Sequence, residues 1–304
     1  MKWVKDTIGY WCEDILSGEC LGQGIGVAVM DTGIMLHPDF GNRIKGFADF
    51  VNGKTALYDD SGHGTHVAGI LAGNGRMSGR LNYRGNLPAE EVLQKKYSGI
   101  APRSELVIAK VLDQEGNGTV ENVLRGIEWI QKIRQEKGVR IVNISVGAQP
   151  GLESAAQKRL LAGVESLWDA GLVVVVSAGN YGPGRGTVAV PGSSRKVITV
   201  GAEWIYSGCG PTDECVVKPD VTAPGTDIVS CSSGYTNRWK HPYVSKTGTS
   251  MATPIVSGAI ACLLSKFPEM TNVEVKLKLR ESSVPGKKES QGWGMLHVGK
   301  LLED

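Results

Sequence analysis

The chain has 304 residues, enough for one large α/β domain or two small ones. Hydrophobic residues make up 41% and charged residues 21%, so the chain can bury a core without metal or disulfide support, which argues against global disorder. The formal net charge is only +2, from 33 basic and 31 acidic residues, and this excludes a field strong enough to favour nucleic acid or an anionic membrane as the main partner.

Apolar β-like runs alternate with segments of helical period from one end to the other. The predicted strands are Gly26–Met30, Leu106–Val111, Arg140–Val146, Leu172–Ser177 and Val197–Val200. The predicted helices are His63–Ala72, Val120–Gln135, Glu153–Asp169, Ser250–Phe267 and Asn272–Glu281. This alternation predicts an α/β fold with a doubly wound, mainly parallel sheet and helices on both faces. We expect a single domain over residues 1–304, with an N-terminal extension (1–23) and a surface insertion (75–99).

The cellular location is inferred from the absence of two kinds of apolar segment in the sequence, a membrane span and a secretory signal. No apolar run approaches the ~20 residues that a membrane span needs. Met1–Tyr10 contains no apolar segment of the length of a secretory signal, which favours a cytoplasmic location; the alternative is the mature fragment of a secreted precursor. The six cysteines are even in number, but free thiols are the favoured interpretation in a chain of this size.

Polar residues that could carry chemistry follow the predicted strands, where the active sites of doubly wound sheets collect. Asp31 directly follows the first strand; by itself it is most simply a turn cap. His63 and His66 lie three residues apart on one helix, a spacing compatible with metal binding, but the pattern His-Glu-x-x-His is absent. A proton-transfer role is therefore favoured. The spacing does not decide between the two histidines, although His63 is nearer the helix start.

Two further segments place polar side chains at the same edge. Asn180 follows the run Leu172–Ser177 and could donate to a developing oxyanion, although such an asparagine is more often a turn residue. Ser250 begins an apolar helix, where free backbone N–H groups and the helix dipole favour negative charge near its hydroxyl oxygen. The simpler interpretation of Ser250 is an ordinary N-cap.

Four segments in the order Asp, His, Asn, Ser are hard to explain together as caps and turns. They are Ala28–Gly33 (AVMDTG), His63–Gly69 (HGTHVAG), Ser177–Asn180 (SAGN) and Gly248–Pro254 (GTSMATP). They resemble the segments of the subtilisin-like serine proteases (subtilases), whose triad has this chain order. The resemblance runs from about Gly24 to Gly299 and includes Lys218–Gly225 (KPDVTAPG) and Gly292–Gly294 (GWG).

The resemblance implies a serine endopeptidase that acts on peptide or protein substrates. It implies that Ser250 attacks the scissile carbonyl, that His63 takes and returns the proton, and that Asp31 orients the imidazole. Asn180 and the Ser250 N–H would hold the oxyanion. His66 is then structural, and the chemistry requires no cofactor.

The same resemblance implies that an extended peptide binds as an added strand between two chain edges. The implied binding residues lie on those edges and in the pocket for the residue before the cut: Gly116, Gly118, Ser145, Val146, Gly147, Ser177, Ala178 and Gly179. That pocket, completed by Val188–Pro191, has no evident acidic base, so an apolar or aromatic residue is predicted there. The Val190–Pro191 bond is implied to be cis.

Two features depart from the family pattern. Many relatives bind calcium through an aspartate that matches Asp39 and through an asparagine-rich loop, whereas this chain has the charged insertion Arg76–Lys96 at that place. Asp39 is therefore a candidate ligand for structural calcium without the rest of the site. Relatives are usually made with an inhibitory propeptide, for which residues 1–23 are too few; either a precursor segment is missing or an intracellular form folds without one.

Two other classes of function compete. An inactive subtilase-fold binding or scaffold module is ranked below the enzyme, because all three implied triad residues are present. A metal hydrolase that uses His63 and His66 is the remaining alternative, and it predicts that chelators stop the activity.

Overall fold

The computed structural model describes residues 1–78, 95–145, 147, 154–235, 241–286 and 292–304. Seven strands form the main sheet: β1 Gly26–Asp31, β2 Ile44–Asp49, β3 Glu105–Lys110, β4 Val139–Ile144, β5 Val173–Ser177, β6 Ile198–Ala202 and β7 Val221–Ala223. They pair in the order β2-β3-β1-β4-β5-β6-β7, and every pairing is parallel. A hairpin of β8 Ile228–Cys231 and β9 Tyr243–Lys246 is antiparallel.

Helices connect and cover the strands. They are α1 Lys2–Thr7, α2 Glu13–Leu16, α3 His63–Ala72, α4 Val120–Ile133, α5 Ser154–Asp169, α6 Thr249–Lys266, α7 Asn272–Ser282 and α8 Val298–Leu302, with a 3-10 turn at Arg76–Ser78. In the part of the chain that the structure describes, none of them is long and apolar enough to span a bilayer.

The helices lie on both faces of the sheet. Successive residues of a strand point to opposite faces. Gly126 of α4 lies against Met30, whereas Gly64 of α3 lies against the next residue, Asp31. α5 packs on α4, and α6 packs on α3. The predicted α/β class, with a parallel sheet covered on both sides, is confirmed.

α6 is the central helix of the fold. It contacts α3 and the strands β4 to β7, and every residue from Thr249 to Leu264 except Ser250 is buried. A helix that is apolar on all sides must be enclosed by protein. Its N-terminus therefore opens at the carboxyl edge of the sheet while its body forms the core.

The predicted and observed helices and strands agree where apolar residues recur at a regular helical or strand spacing. α3 has the predicted bounds, and the five predicted strands shift by one or two residues at their ends. β2 was not predicted because it is half-exposed and its register with β3 shifts between Ile44 and Gly46. β7 has only three residues, too few for a recognisable period. Of the predicted insertion 75–99, residues 79–94 lie outside the described part.

The N-terminal extension packs into the core. Val4, Ile8 and Tyr10 are fully buried, and the Tyr10 hydroxyl donates to the Ile100 carbonyl at 2.6 Å. The N–H of Val298 donates to the Ile8 carbonyl at 2.7 Å, so the first and last helices adjoin. The six cysteines are free thiols.

Candidate active site

Asp31 and His63 are joined by a short hydrogen bond. His63 Nδ1 lies 2.7 Å from Asp31 Oδ1, which also accepts the Thr32 N–H at 2.7 Å. Asp31 is fully buried, whereas 25% of the His63 side chain is exposed. Burial lowers the pKa of His63, but the charge and the hydrogen bond of Asp31 raise it more, so the pKa lies above its usual 6.5. With Nδ1 bound to the carboxylate, Nε2 is left to act as a base.

Asp59 organises the start of α3, which carries His63. Its Oδ1 accepts from Thr32 Oγ1 and from the Gly62 N–H, both at 2.8 Å. Its Oδ2 accepts from Thr65, from the N–H at 2.8 Å and from the hydroxyl at 2.5 Å. This buried carboxylate satisfies N–H groups at a helix N-terminus and complements the helix dipole. Asp59 was not among the residues predicted from the sequence; an aspartate shortly before a glycine-bounded helix start is the signal that could have indicated it.

A glycine lets α3 approach the end of β1. A Cβ atom at Gly64 would collide with the Gly33 carbonyl and would lie 3.2 Å from the Asp31 Cβ. Thr32 Oγ1 accepts the Gly64 N–H at 2.9 Å, which fixes this contact. The close packing brings the His63 ring within reach of Asp31.

His66 points away from Asp31, into the hairpin. Its Nε2 lies 3.0 Å from the carbonyl oxygens of Ile228 and Val244. Burial, with the nearby charge of Lys246, lowers the pKa of His66 to about 3, so its ring is neutral. The two histidines that the spacing did not distinguish thus have different partners: His63 contacts Asp31, and His66 binds α3 to β8 and β9.

Ser250 is the second residue of α6, at the carboxyl edge of the sheet. Its N–H has no acceptor within the helix at that position. Its hydroxyl donates to the Ser145 carbonyl at 2.8 Å and is therefore not directed at His63. Ser250 and His63 nevertheless line one cleft of about 340 Å³.

Asn180 is held by the start of the same helix. Its Oδ1 accepts from the N–H and from the hydroxyl of Thr249, both at 3.0 Å. Because the amide oxygen is occupied, the Nδ2 group remains as a donor beside Ser250. Asn180 and Ser250 line the same cleft.

Two buried polar contacts brace Ser145. Asn143 Nδ2 donates to Ser145 Oγ at 2.8 Å, and Ser257 Oγ of α6 donates to Asn143 Oδ1 at 2.9 Å. A separate contact fixes the residue after Asp31: the buried ammonium of Lys110 donates to the Thr32 carbonyl at 2.6 Å. Neither arrangement was predicted from the sequence, because the contacts of Ser257 with Asn143 and of Lys110 with Thr32 join residues far apart along the chain.

Most of the predicted substrate-binding residues line the cleft. These are Gly116, Ser145, Gly147, Ser177 and Gly179. Gly118 lines an adjoining apolar cavity of about 380 Å³ instead. Ala178 is buried, and its N–H donates to the Val200 carbonyl at 2.8 Å. Val146 lies outside the described residues. The Val190–Pro191 bond, at the edge of that cavity, is cis, as predicted.

Asp39, the candidate calcium ligand, is buried among hydrogen-bond donors. Its Oδ1 accepts the Met77 N–H at 3.0 Å, and its Oδ2 accepts the Gly75 N–H at 3.1 Å and the Tyr243 hydroxyl at 2.8 Å. Calcium requires six to eight oxygen ligands, whereas these groups already donate to the carboxylate. The surroundings of Asp39 do not fit calcium.

His37 and Cys231 complete the cluster around Asp39, with one ligand-type atom of each within 4.8 Å of the others. It is the one such group of three or more among the described residues, and it contains neither His63 nor His66. Burial raises the pKa of the Cys231 thiol well above its usual value, so the thiol stays protonated, 3.7 Å from Asp39 Oδ2. The cluster is a hydrogen-bonded structural unit.

The sequence profile of the subtilase family matches residues 22–294. Serine protease AprX of Bacillus subtilis is 38% identical over 297 residues; the alignment covers 89% of this chain and 64% of that protein. The chain thus spans about two thirds of the length of that relative. Subtilisin Savinase of Lederbergia lenta is 33% identical over 262 residues, covering 86% of this chain and 84% of that protein.

Two solved structures have the same architecture. Sphericase superposes with a TM-score of 0.75 at 26% identity, over 91% of this chain and 92% of that one. A cold-adapted subtilisin-like serine proteinase superposes with a TM-score of 0.69 at 26% identity, over 91% of this chain and 89% of that one.

Proposed function

The chain belongs to the subtilase family, and on that premise we propose that it is a serine endopeptidase whose catalytic triad is Asp31, His63 and Ser250. One observation carries the proposal: His63, hydrogen-bonded to the buried Asp31 at 2.7 Å, lines the cleft that also holds Ser250, at a helix N-terminus. The carboxylate holds the imidazole in the tautomer whose Nε2 accepts a proton.

The proposed reaction begins when Ser250 leaves its present hydrogen bond. The Ser145 carbonyl lies on an edge that an extended substrate would pair with, so a substrate N–H competes for this oxygen and frees the hydroxyl to turn toward His63. Ser250 Oγ then attacks the scissile carbonyl and gives its proton to His63 Nε2. His63 returns that proton to the leaving amine as the C–N bond breaks, and water hydrolyses the acyl-Ser250 ester by the reverse transfers.

Asn180 and the Ser250 N–H are the proposed oxyanion donors. Thr249 holds the Asn180 amide oxygen through two hydrogen bonds, which supports an amide nitrogen already oriented before substrate arrives. Donors fixed in advance stabilise the developing charge without reorganising during the reaction.

Apolar surface beside the cleft supports a preference for apolar or aromatic side chains before the cut. The 380 Å³ cavity shares Leu112, Gly116, Gly147 and Tyr181 with the cleft, and its walls include Val120, Val123, Leu160 and Val164. Burial of one such substrate side chain contributes about 1.5–3 kcal/mol. A panel of peptides that differ only before the cut tests this, and a strong preference for Arg or Lys there would contradict it.

We further propose that neither the reaction nor the fold depends on calcium at Asp39, because amide, hydroxyl and thiol donors occupy its carboxylate. EDTA should therefore change the Tm of the inactive Ser250→Ala protein by less than about 1 °C. Calcium added after the EDTA treatment should not raise that Tm. A larger, calcium-reversible loss would contradict this part of the proposal.

The six free thiols support a reducing, cytoplasmic location. Fractionation of cells that express the full chain, with the protein followed by an active-site probe, tests this location. Recovery in the culture medium with oxidised cysteines would contradict it.

Labelling with a fluorophosphonate probe tests the enzyme itself. One adduct, located on Ser250 by peptide mapping, is expected; it should be absent from Ser250→Ala and retained by Ser265→Ala, a change of another serine on α6. Correctly folded protein that takes no label and cleaves no peptide would indicate an inactive scaffold instead.

A further inference from the structure

Lys246, the last residue of β9, lines the catalytic cleft together with His63 and Ser250. Its side chain is partly exposed. Across the described ranges, no ion pair or side-chain hydrogen bond engages its ammonium group. Lys246 thus places a positive charge in the catalytic cleft, and among the described residues no carboxylate forms an ion pair with it.

Glu115 also lines the cleft, on the edge at Gly116, and the acidic residues near His63 are already engaged. Asp31 binds His63, and Asp59 accepts four hydrogen bonds from the loop and helix around it. Asp60 pairs with the buried ammonium of Lys110 at 2.8 Å. The charge of Lys246 is therefore available to a bound substrate.

The position of Lys246 identifies which part of a substrate it meets. On the proposed function, the apolar cavity lined by Gly116, Gly118 and Gly147 takes a side chain before the cut, and Lys246 does not line that cavity. Lys246 enters from the hairpin that His66 fastens to α3, on the side of His63. Since His63 delivers a proton to the leaving amine, the residues after the cut lie on this side.

We propose that Lys246 makes the enzyme select substrates with aspartate or glutamate at the first or second position after the cut. This inference rests on the proposed function and adds a charge preference to it. Partly exposed ion pairs contribute modestly, so glutamate should exceed glutamine at the responsive position by about 2- to 5-fold in kcat/KM at low ionic strength. Salt should reduce the ratio, because the pair is open to solvent.

A second effect of the same charge gives an independent readout. Three charged groups act on His63: Lys246 lowers its pKa, and Asp31 and Asp59 raise it. Lys246→Gln removes the lowering charge, so the pKa of His63 should rise. The acidic limb of kcat/KM should then move to higher pH, because activity requires the neutral imidazole.

The experiment uses internally quenched peptides that share one cleavable sequence and carry Glu, Gln or Lys at the first or the second position after the cut. Wild type should prefer Glu to Gln and Gln to Lys. Lys246→Gln should abolish the order, and Lys246→Glu should reverse it. Lys300→Gln, a change of an exposed lysine on α8, is the matched control and should keep the wild-type order.

Equal rates on the Glu and Gln peptides in wild type at low salt, or an unchanged order in Lys246→Gln, would overturn the proposal. Neither result would contradict the proposed triad, because the peptides are still cleaved. If wild type cleaves no peptide and takes no fluorophosphonate label, the proposed function itself has failed.

Discussion

Replacing Asp59 by asparagine should destabilise the fold and slow the enzyme together. Asparagine keeps one acceptor oxygen for Thr32 and Gly62, but it presents an amide N–H₂ to the two Thr65 donors that now bind Asp59 Oδ2. Hydrogen bonds to a charged group contribute about 1.5–3 kcal/mol each, so losing two costs about 3 kcal/mol or more. In a chain of this size that lowers Tm by about 5 °C.

The stability of Asp59→Asn is best measured by calorimetry in a Ser250→Ala background, which prevents self-digestion. Asp169→Asn is the matched control, since it removes an exposed partner of Lys196 and should cost less than about 1 kcal/mol. In the active background, kcat should fall, because α3 no longer holds His63 against Asp31. A Tm within about 1 °C of the parent, with kcat unchanged, would refute the assignment of Asp59 as the organiser of this helix start.

Three further predictions concern the oxyanion donor, the catalytic histidine and a buried lysine. Asn180→Ala should lower kcat by about 100- to 1000-fold with little change in KM, the range known for the corresponding change in subtilisin; an unchanged kcat would exclude Asn180 from the oxyanion hole. The pKa of His63 lies above 6.5, so kcat/KM should fall to half at a pH above 6.5 on the acidic side, and a midpoint below that value would contradict the influence of Asp31. Burial lowers the pKa of Lys5 from 10.5 to about 7, so the charged form is disfavoured in the fold and stability is lost as pH falls from 10.5 toward 7. Lys5→Met should therefore raise Tm at pH 7, with a gain that shrinks toward pH 10; a gain independent of pH would argue against this cause.

The shared position of the proposed catalytic residues, at one edge of the sheet, could be predicted because each follows or begins a strong local signal. Asp31 ends a run of buried apolar residues, Ser250 is the second residue of an apolar helix, and Asn180 follows the strand β5. Such signals place residues at one edge of a parallel sheet without any knowledge of tertiary contacts. The resemblance then added the roles, which periodicity alone did not provide for His63 and His66.

The supporting residues could not be predicted, because their partners are remote along the chain. The sequence pattern around Lys110 indicates only the polar end of a strand. In the structure its ammonium donates to the Thr32 carbonyl, 78 positions away. The contact between Ser250 and Ser145 spans 105 positions. The place of Lys246 follows from a short, half-exposed hairpin whose strands lack a clear alternation of polar and apolar residues. Asp39 could be matched to a family position, but only the donors around it indicate that calcium does not fit.

The contact between α1 and α8 affects how the chain folds during synthesis. Ile8 and Gly9 accept hydrogen bonds from Val298 and Gly299, so the surface on which α1 packs is completed by residues 290 positions further along the chain. A nascent chain that does not yet contain α8 lacks these contacts. Truncations that remove α8 should consequently expose the apolar side of α1.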